Sequence, residues 1–503
     1  MASTFAVTRN HLIFGLCLPL AVLMGYLLAE PFESTSLTLL LMIATVLIVP
    51  VLMRWYHPLL ILSWNMAVAL AYLPGSPQLW AVMSLLGLFI AILNRSVNPD
   101  FRFAVVPALT LPLLALLLVV ILTALATGGI GLRVFGSQTV GGRGYFYLVA
   151  AAAGYFALSS RAIPPARAQL CLALFFLPAV TAIVGRLAQA TGPAASFLYA
   201  FFPPDFDPSA LGMDQGIELG RTRTSGIVTL ALGLFCWVLA RYGVAGLFNF
   251  TRPWRLATLI AAVVLGAFGG FRSALVLMGT IFMILFCLER LWGTRVFLLL
   301  LFSTILGGAV LVGFADKLPL TMQRTLSFLP VEIDPATRAN AQDSTEWRVE
   351  MWKEMLPEVP RYFFRGKGYN LSADDLFMSY EAIRRGFVAR WEGSATAGDY
   401  HSGPLSVLIP FGIWGLAAFV WLLAAGARFL YTNYRNGMPE LRGVNGFLFA
   451  LFLARILMFI FVFGTLSSDL VHFLGILGLS VALNVSGQRP DRPDEATKAP
   501  DDV

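Results

Sequence analysis

The sequence predicts an all-α polytopic membrane protein with about fourteen transmembrane helices and one large, mostly helical loop on its outer face. Three observations predict it. Apolar residues make up 58% of the 503 residues and charged residues 13%, whereas a soluble domain carries about a quarter charged residues. The apolar residues fall in blocks of roughly 16 to 24, the length that crosses a hydrocarbon core of about 30 Å as a helix. Lipid offers no partner to unpaired backbone groups, so helices are the form expected. The basic residues, finally, alternate from one side to the other.

The expected spans lie near 11–29, 35–53, 58–73, 78–94, 104–126, 144–160, 167–188, 225–241, 255–271, 273–289, 296–314, 405–427, 443–464 and 467–485. This divides the chain into helices 1 to 11 over 1–314, an outer loop over 315–404, helices 12 to 14 over 405–485 and a polar, disordered tail over 486–503. The first block, ending at Leu27-Leu28-Ala29-Glu30, also resembles a signal peptide with a weak cleavage site. Its length and the span that follows favour a retained helix. With the N-terminus inside, each inner segment is basic, from Arg9 and Arg54 through Arg161 and Arg167 to Arg489, Arg492 and Lys498. A miscount by one span would scramble this order. Both termini are therefore placed in the cytoplasm. Cys17, Cys171, Cys236 and Cys287 all lie in apolar blocks and read as small core residues, not disulfides or metal ligands. The net charge of +7 suits anchoring to anionic lipid and does not point to nucleic acid.

The informative residues are cations on the wrong side. Arg186, Arg221, Arg223 and Arg272 fall at outer ends of spans. Arg272, in the tight connection Gly269-Gly-Phe-Arg-Ser-Ala-Leu275, opposes the insertion bias most sharply. Guanidinium forks make paired, charge-assisted bonds to phosphate oxygens, so such a group could hold a lipid-linked diphosphate. Snorkelling to outer headgroups is the alternative, and for Arg186, Arg133 and Arg143 it is the favoured one. His401, in Asp399-Tyr400-His401-Ser402-Gly403-Pro404, stands where the outer loop re-enters the membrane. Imidazole can take a proton from a sugar hydroxyl near neutral pH, or the residue may merely cap the next helix.

A loop helix is expected from Ser344 to Leu356, begun by Asp343 and Glu346 and stopped by Pro357. Arg348 and Trp352 share a face of it. Arg348 could reach a phosphate and Trp352 could stack on a sugar, or both could pack the helix onto the membrane domain. Arg455 lies deep within its span, and Asp469 and His472 lie near the outer end of the last one; ionisable groups at such depth are functional candidates. Pairing of Arg455 with Asp469 is open. The sequence holds no zinc-spaced cluster, no HExxH, no Walker loop and no GxSxG elbow.

In order, Arg223-Thr-Ser-Gly226, Arg272-Ser-Ala-Leu, Arg348-x-x-x-Trp352, Pro360, Gly366-Lys-Gly368-Tyr369 and His401-Ser402 before a span with Gly412 and Gly415 resemble the O-antigen ligase and Wzy-type polymerase superfamily of bacterial membrane glycosyltransferases. The likeness covers roughly 145 to 430. It departs in the larger number of spans and in Ser402, where asparagine is commoner. The resemblance implies a bacterial inner-membrane enzyme that uses no metal and no other cofactor. Such an enzyme moves a glycan from an undecaprenyl-diphosphate donor to a lipid- or glycan-linked acceptor on the periplasmic face. It also implies that the outer loop is periplasmic and admits other envelope polysaccharide assembly proteins as partners. His401, Arg223 and Arg272 would be catalytic, with Arg221, Arg348, Trp352 and Arg186 contacting substrate. Three rivals stand beside this reading: a flippase or other polytopic transporter, a metal-dependent glycosyltransferase with Glu30 or Glu33 as base, and an envelope scaffold. Transporters gather charges along a midplane path between repeated halves, whereas here they gather at one face.

Overall fold

In the computed structural model the long apolar runs become helices that pack side by side. The structure describes residues 51–71, 73–98, 103–130, 139–203, 224–372 and 398–485, with short stretches at 18–19, 21–23, 25, 43, 377 and 381. The chain divides into two units, Met1–Tyr56 and His57–Val503, and the account below concerns the second. The expected spans 11–29 and 35–53 lie mostly outside the described residues; the tail after Ser486, Glu30, Glu33, Arg133, Arg221 and Arg223 lie wholly outside them.

In chain order the helices are α1 Leu79–Val97, α2 Pro107–Thr127, α3 Gly142–Ser159, α4 Ala168–Phe176, α5 Val184–Thr191, α6 Ser225–Leu247, α7 Trp254–Phe268, α8 Arg272–Leu288, α9 Arg295–Phe314, α10 Leu320–Leu326, α11 Pro335–Met355, α12 Val359–Tyr362, α13 Gly403–Asn436, α14 Arg442–Phe461 and α15 Leu466–Asn484. Eight described helical runs are long and apolar enough to cross a membrane, and α7 and α8 are apolar but shorter. The chain is thus a multi-pass membrane protein. A two-residue antiparallel pair, β1 Thr139–Val140 with β2 Leu371–Ser372, ties the outer loop to the start of α3.

Small residues set the centre of the bundle. In lipid, helices gain from close van der Waals approach, which glycine and alanine permit. The Ala150–Ala153 run of α3 is buried, and α15 is buried along almost its whole length. A Cβ on Gly475 would stand 2.2 Å from the Trp64 indole nitrogen, and one on Gly154 would meet the same ring at 2.6 Å. α9 carries no buried residue, so it lies at the periphery of the described bundle. At the ends of α13, α14 and α15 away from the loop, Asn445 and Asn484 exchange amide bonds of 2.9 and 3.0 Å, and Asn433 donates to Ser480 at 3.2 Å.

Three expected elements change. The span expected over 58–73 is helical only to Ser63; the described residues that follow are turns and extended chain that double back, with Ala69 bridged to Gln78. Their backbone is satisfied by neighbours, since Ala69 N donates to Phe201 O at 2.8 Å, Leu79 N to Val68 O at 2.8 Å and Ala67 N to Thr181 Oγ1 at 2.9 Å. Irregular chain is tolerated at membrane depth when protein supplies its partners. The span expected over 167–188 is broken, with a 3₁₀ segment, Leu177–Ile183, between α4 and α5. Pro178, which has no N–H to give, sits in it. The expected loop helix also starts earlier. Asp334, not Asp343, is its cap, with Oδ2 accepting from Thr337 N at 2.7 Å, and Pro335 occupies the first turn.

The long α13 is 34 residues and is broken at Gly412, with φ 65° and ψ −167°, between two and three turns after its start and two residues past Pro410. The outer loop enters this break. Lys367 N donates to Ile409 O at 2.8 Å, Gly368 N to Pro410 O at 2.9 Å, and Ile413 N to Phe363 O at 2.7 Å. Gly366, at φ +74°, passes so close that a Cβ would stand 2.3 Å from Pro410 O.

That break predicts a stability effect. Gly412→Ala forces a side chain into a glycine-only region, which costs on the order of 1–3 kcal/mol, and sets its Cβ 2.7 Å from Phe363 O. Thermal unfolding of the detergent-solubilised protein should shift down by several degrees for Gly412→Ala and stay unchanged for Gly279→Ala, whose Cβ meets nothing within 4 Å. Equal melting of the two would show that the break is not held as described.

Candidate functional site

The site is built where α6, α8 and α15 begin and the outer loop folds over them. Arg272, the first residue of α8, donates from Nη2 to Ala341 O at 2.9 Å and to Thr345 Oγ1 at 3.0 Å, both on α11. A guanidinium has five N–H donors, so Nε and Nη1 remain for a ligand. Its connection to α7 is pinned from below, because Thr224 N donates to Gly269 O at 3.0 Å. Arg186 joins the same knot, with Nη1 donating to Thr224 Oγ1 at 2.8 Å. The structure therefore brings Arg186 and Arg272 to one seam, next in sequence to the undescribed Arg223.

His401 stands further along α11, against Trp347 and next to the Tyr400 carbonyl that Trp352 holds. Its backbone has φ +47°, uncommon for a residue with a Cβ although histidine is enriched there. The strained turn is fixed from both ends. Trp352 Nε1 donates to Tyr400 O at 2.9 Å, and His401 N donates to Asp399 Oδ1 at 3.2 Å. The imidazole Nδ1 is 3.0 Å from the same carboxylate oxygen, which leaves Nε2 as the ring nitrogen for another partner. The ring lies between Trp347 and Phe463, with centroids 5.1 and 5.0 Å away. Gly403 follows because a Cβ there would collide with Phe459 O.

Asp399 accepts a second bond, from Thr465 Oγ1 at 2.7 Å. Burial would raise its carboxyl, yet the hydrogen bonds from His401 and Thr465, with the His401 charge, hold it below the usual aspartate range. Thr465 N donates in turn to Asp469 Oδ2 at 2.8 Å. One threonine thus spans two carboxylates.

Two cavities adjoin these groups. The larger, about 750 Å³, lies between the re-entrant chain near Trp64 and Trp80, the start of α3, and loop residues Lys367 to Leu371; Asp399 and Tyr400 form its edge. The smaller, about 290 Å³, lies between the starts of α6, α8 and α15 and the end of α14. Phe463, Ser468, Thr229 and His472 wall both. Arg455, Asp469 and His472, placed at different depths by the sequence, wall the smaller one together, although no ion pair joins them among the described residues. His401, Arg272, Arg348 and Trp352 wall neither cavity themselves, but Asp399, Phe463, Phe271 and Ser273 beside them do.

The fate of the sequence candidates is mixed. Trp352 spends its N–H on the chain beside His401 and packs with Met351, Leu405 and Ile409, so its place is beneath the histidine. Arg348 Cζ lies 5.9 Å from the Phe463 ring, on the ring that also touches His401. Arg143 sits over Tyr147 at the large cavity's rim. Asp399 and Thr465 were not singled out. A carboxylate two residues before a loop histidine is a readable signal; a threonine 64 positions later is not. Among the described residues, no group of three His, Cys, Asp or Glu side chains is placed to hold a metal ion.

Residues 256–420 match the Wzy_C family model, whose description is O-Antigen ligase. This segment is similar to the O-antigen ligase family. It runs from α7 into α13 and contains Arg272, α11 with Arg348 and Trp352, the loop and His401. The match supports the O-antigen ligase and Wzy superfamily expected from the motifs. Trp64, Trp80 and Tyr147 of the large cavity, Arg186, Arg455 and Asp469 lie outside the matched segment. No curated protein matches the chain.

The carboxylate beside His401 predicts a pH effect. Because its native pKa is depressed, the unfolded chain takes up the proton first on acidification. The stability from Asp399 is complete above the ordinary carboxyl value of about 3.9 and is lost as pH falls through the lower native value. The melting temperature of Asp399→Asn should therefore fall less steeply than that of the parent protein below about pH 4. Parallel curves would refute this.

Proposed function

We infer that the protein transfers a glycan from an undecaprenyl-diphosphate carrier to a sugar hydroxyl on the periplasmic face of the bacterial inner membrane, as an O-antigen ligase or a polysaccharide polymerase. The observation that carries this is the docking of both Arg272 and the chain at His401 onto one loop helix, α11, inside the segment that matches the O-antigen ligase family.

The chemistry follows from the groups present. The acceptor hydroxyl oxygen attacks the anomeric carbon, and the bond from that carbon to the diphosphate oxygen breaks. His401 Nε2 takes the hydroxyl proton while Asp399 holds Nδ1 and steadies the imidazolium that forms. The leaving diphosphate gains negative charge, which Arg272, with Arg223 and Arg221 on the preceding segment, would meet with fixed positive charge. Arg186 and Arg348 flank that seam. Guanidinium groups that are already ordered, as Arg272 is by Ala341 and Thr345, need little reorganisation in the transition state. On this reading the carrier's tail stays in the bilayer, and no metal or nucleotide is required. The acceptor is lipid- or glycan-linked, and other envelope polysaccharide assembly proteins are candidate partners.

Turnover of the purified protein on a synthetic undecaprenyl-diphosphate glycan tests the assignment. His401→Ala should lower turnover about 10²–10⁴-fold, the usual scale for a general base, with the KM for donor little changed. Arg272→Gln should raise the donor KM as well. Parent-like turnover in both variants would reject the assignment.

A further inference from the structure

The large cavity has a wall that the transfer chemistry does not use. Tyr147 offers it a half-buried ring, backed by the buried Trp80 and Trp64, with centroids 5.6 Å apart between Tyr147 and Trp80 and 6.0 Å between Trp80 and Trp64. Tyr369 faces the same space from the loop. Flat apolar rings beside polar groups suit a pyranose, which offers apolar C–H faces and polar hydroxyls. Asn370 supplies such a polar group: its Nδ2 is committed to Thr127 O at 2.7 Å, while its Oδ1 is buried with no partner among the described residues.

The charges of the cavity are uneven. Arg143 and Lys367 both wall it. Arg143 lies beside Tyr147, its Cζ 5.6 Å from the ring. Lys367 is fixed by its own backbone bond to Ile409. Neither forms an ion pair among the described residues. The carboxylate at the edge, Asp399, is already engaged by His401 and Thr465. Burial lowers the Lys367 ammonium from its ordinary value, with Glu358 opposing and Arg361 assisting; an anion in the cavity would offset that cost.

The geometry points to a subsite for an anionic saccharide, its ring against Tyr147 and its carboxylate or phosphate drawn to the Arg143 and Lys367 that wall the same cavity. This rests on the glycan-transfer reading and adds the class of sugar that reading leaves open. It also places sugar selection largely on chain that precedes the segment matching the O-antigen ligase family.

Binding of glucose, glucuronate and glucose 6-phosphate to the full-length protein in detergent, followed by saturation-transfer NMR titration, tests it. The two anionic sugars should bind at least tenfold more tightly than glucose, about 1.4 kcal/mol. Their relative affinities tell a carboxylate subsite from a phosphate one. The Arg143→Gln, Lys367→Gln double variant should bring all three to the level of glucose. Should the double variant not fold, Arg143→Gln alone, at an exposed position, should still narrow the gap. Equal binding of the three sugars by the parent protein, or an undiminished preference in the variants, overturns the inference. Undecaprenyl diphosphate titrated into the same samples separates the two claims. If it binds and Arg272→Gln weakens it while glucuronate shows no advantage, only the anionic subsite fails. If it does not bind, the donor assignment fails.

Discussion

Breaking a helix inside a membrane domain frees backbone groups where no water can satisfy them, and each unpaired group there costs several kcal/mol. α13 is broken in this way at Pro410 to Gly412, and the outer loop supplies the missing partners through Phe363, Lys367 and Gly368. The exchange fixes the loop to the bundle by main chain, independent of side-chain charge or salt. Much of the site's geometry follows from that constraint. With Gly366 and Gly368 threaded through the break, Lys367 and Tyr369 are delivered to the cavity wall, and Tyr369 N reaches the Tyr145 hydroxyl at 2.8 Å.

Two further ties turn a docked loop into an ordered site. Arg272 holds α11 to the bundle through Ala341 and Thr345, and Trp352, further along the same helix, holds the chain at Tyr400. There the histidine is forced into a left-handed turn with its carboxylate partner two residues away. Strain of this kind persists only where surrounding structure over-determines it. Here a tryptophan bond, an aspartate bond and two ring contacts do so.

What was readable in the sequence follows the strength of its physical signals. Most helices were legible because a long apolar run in lipid has few alternatives; α8 and α15 begin within a residue of expectation. Arg272 stood out because a cation in so tight a connection opposes the expected insertion bias, and His401 because it stands where the long loop returns to the apolar runs. The chain after Ser63 was misread, since apolar composition alone does not separate a helix from extended chain paired to protein. The true start of α11 was hidden because its first turns are polar and show no apolar stripe, although Asp334-Pro335 is itself a start signal. For Trp352 the sequence left stacking on a sugar and packing onto the membrane domain both open, because its bond to a backbone carbonyl 48 residues away leaves no trace there. The meeting of Arg455, Asp469 and His472 was obscured because depth along a span says nothing of which helices are neighbours.

The central claim is that the loop-side seam, under α11 and beside His401, receives a lipid-linked diphosphate. A cryo-electron microscopy map of the full-length protein in a lipid nanodisc with undecaprenyl diphosphate addresses it most directly. The account predicts diphosphate density within hydrogen-bond reach of Arg272 Nε or Nη1, with the lipid tail leaving between helices into the bilayer. Density at the opposite end of the bundle, near Asn445 and Asn484, or none at Arg272 in a lipid-saturated sample, would contradict it.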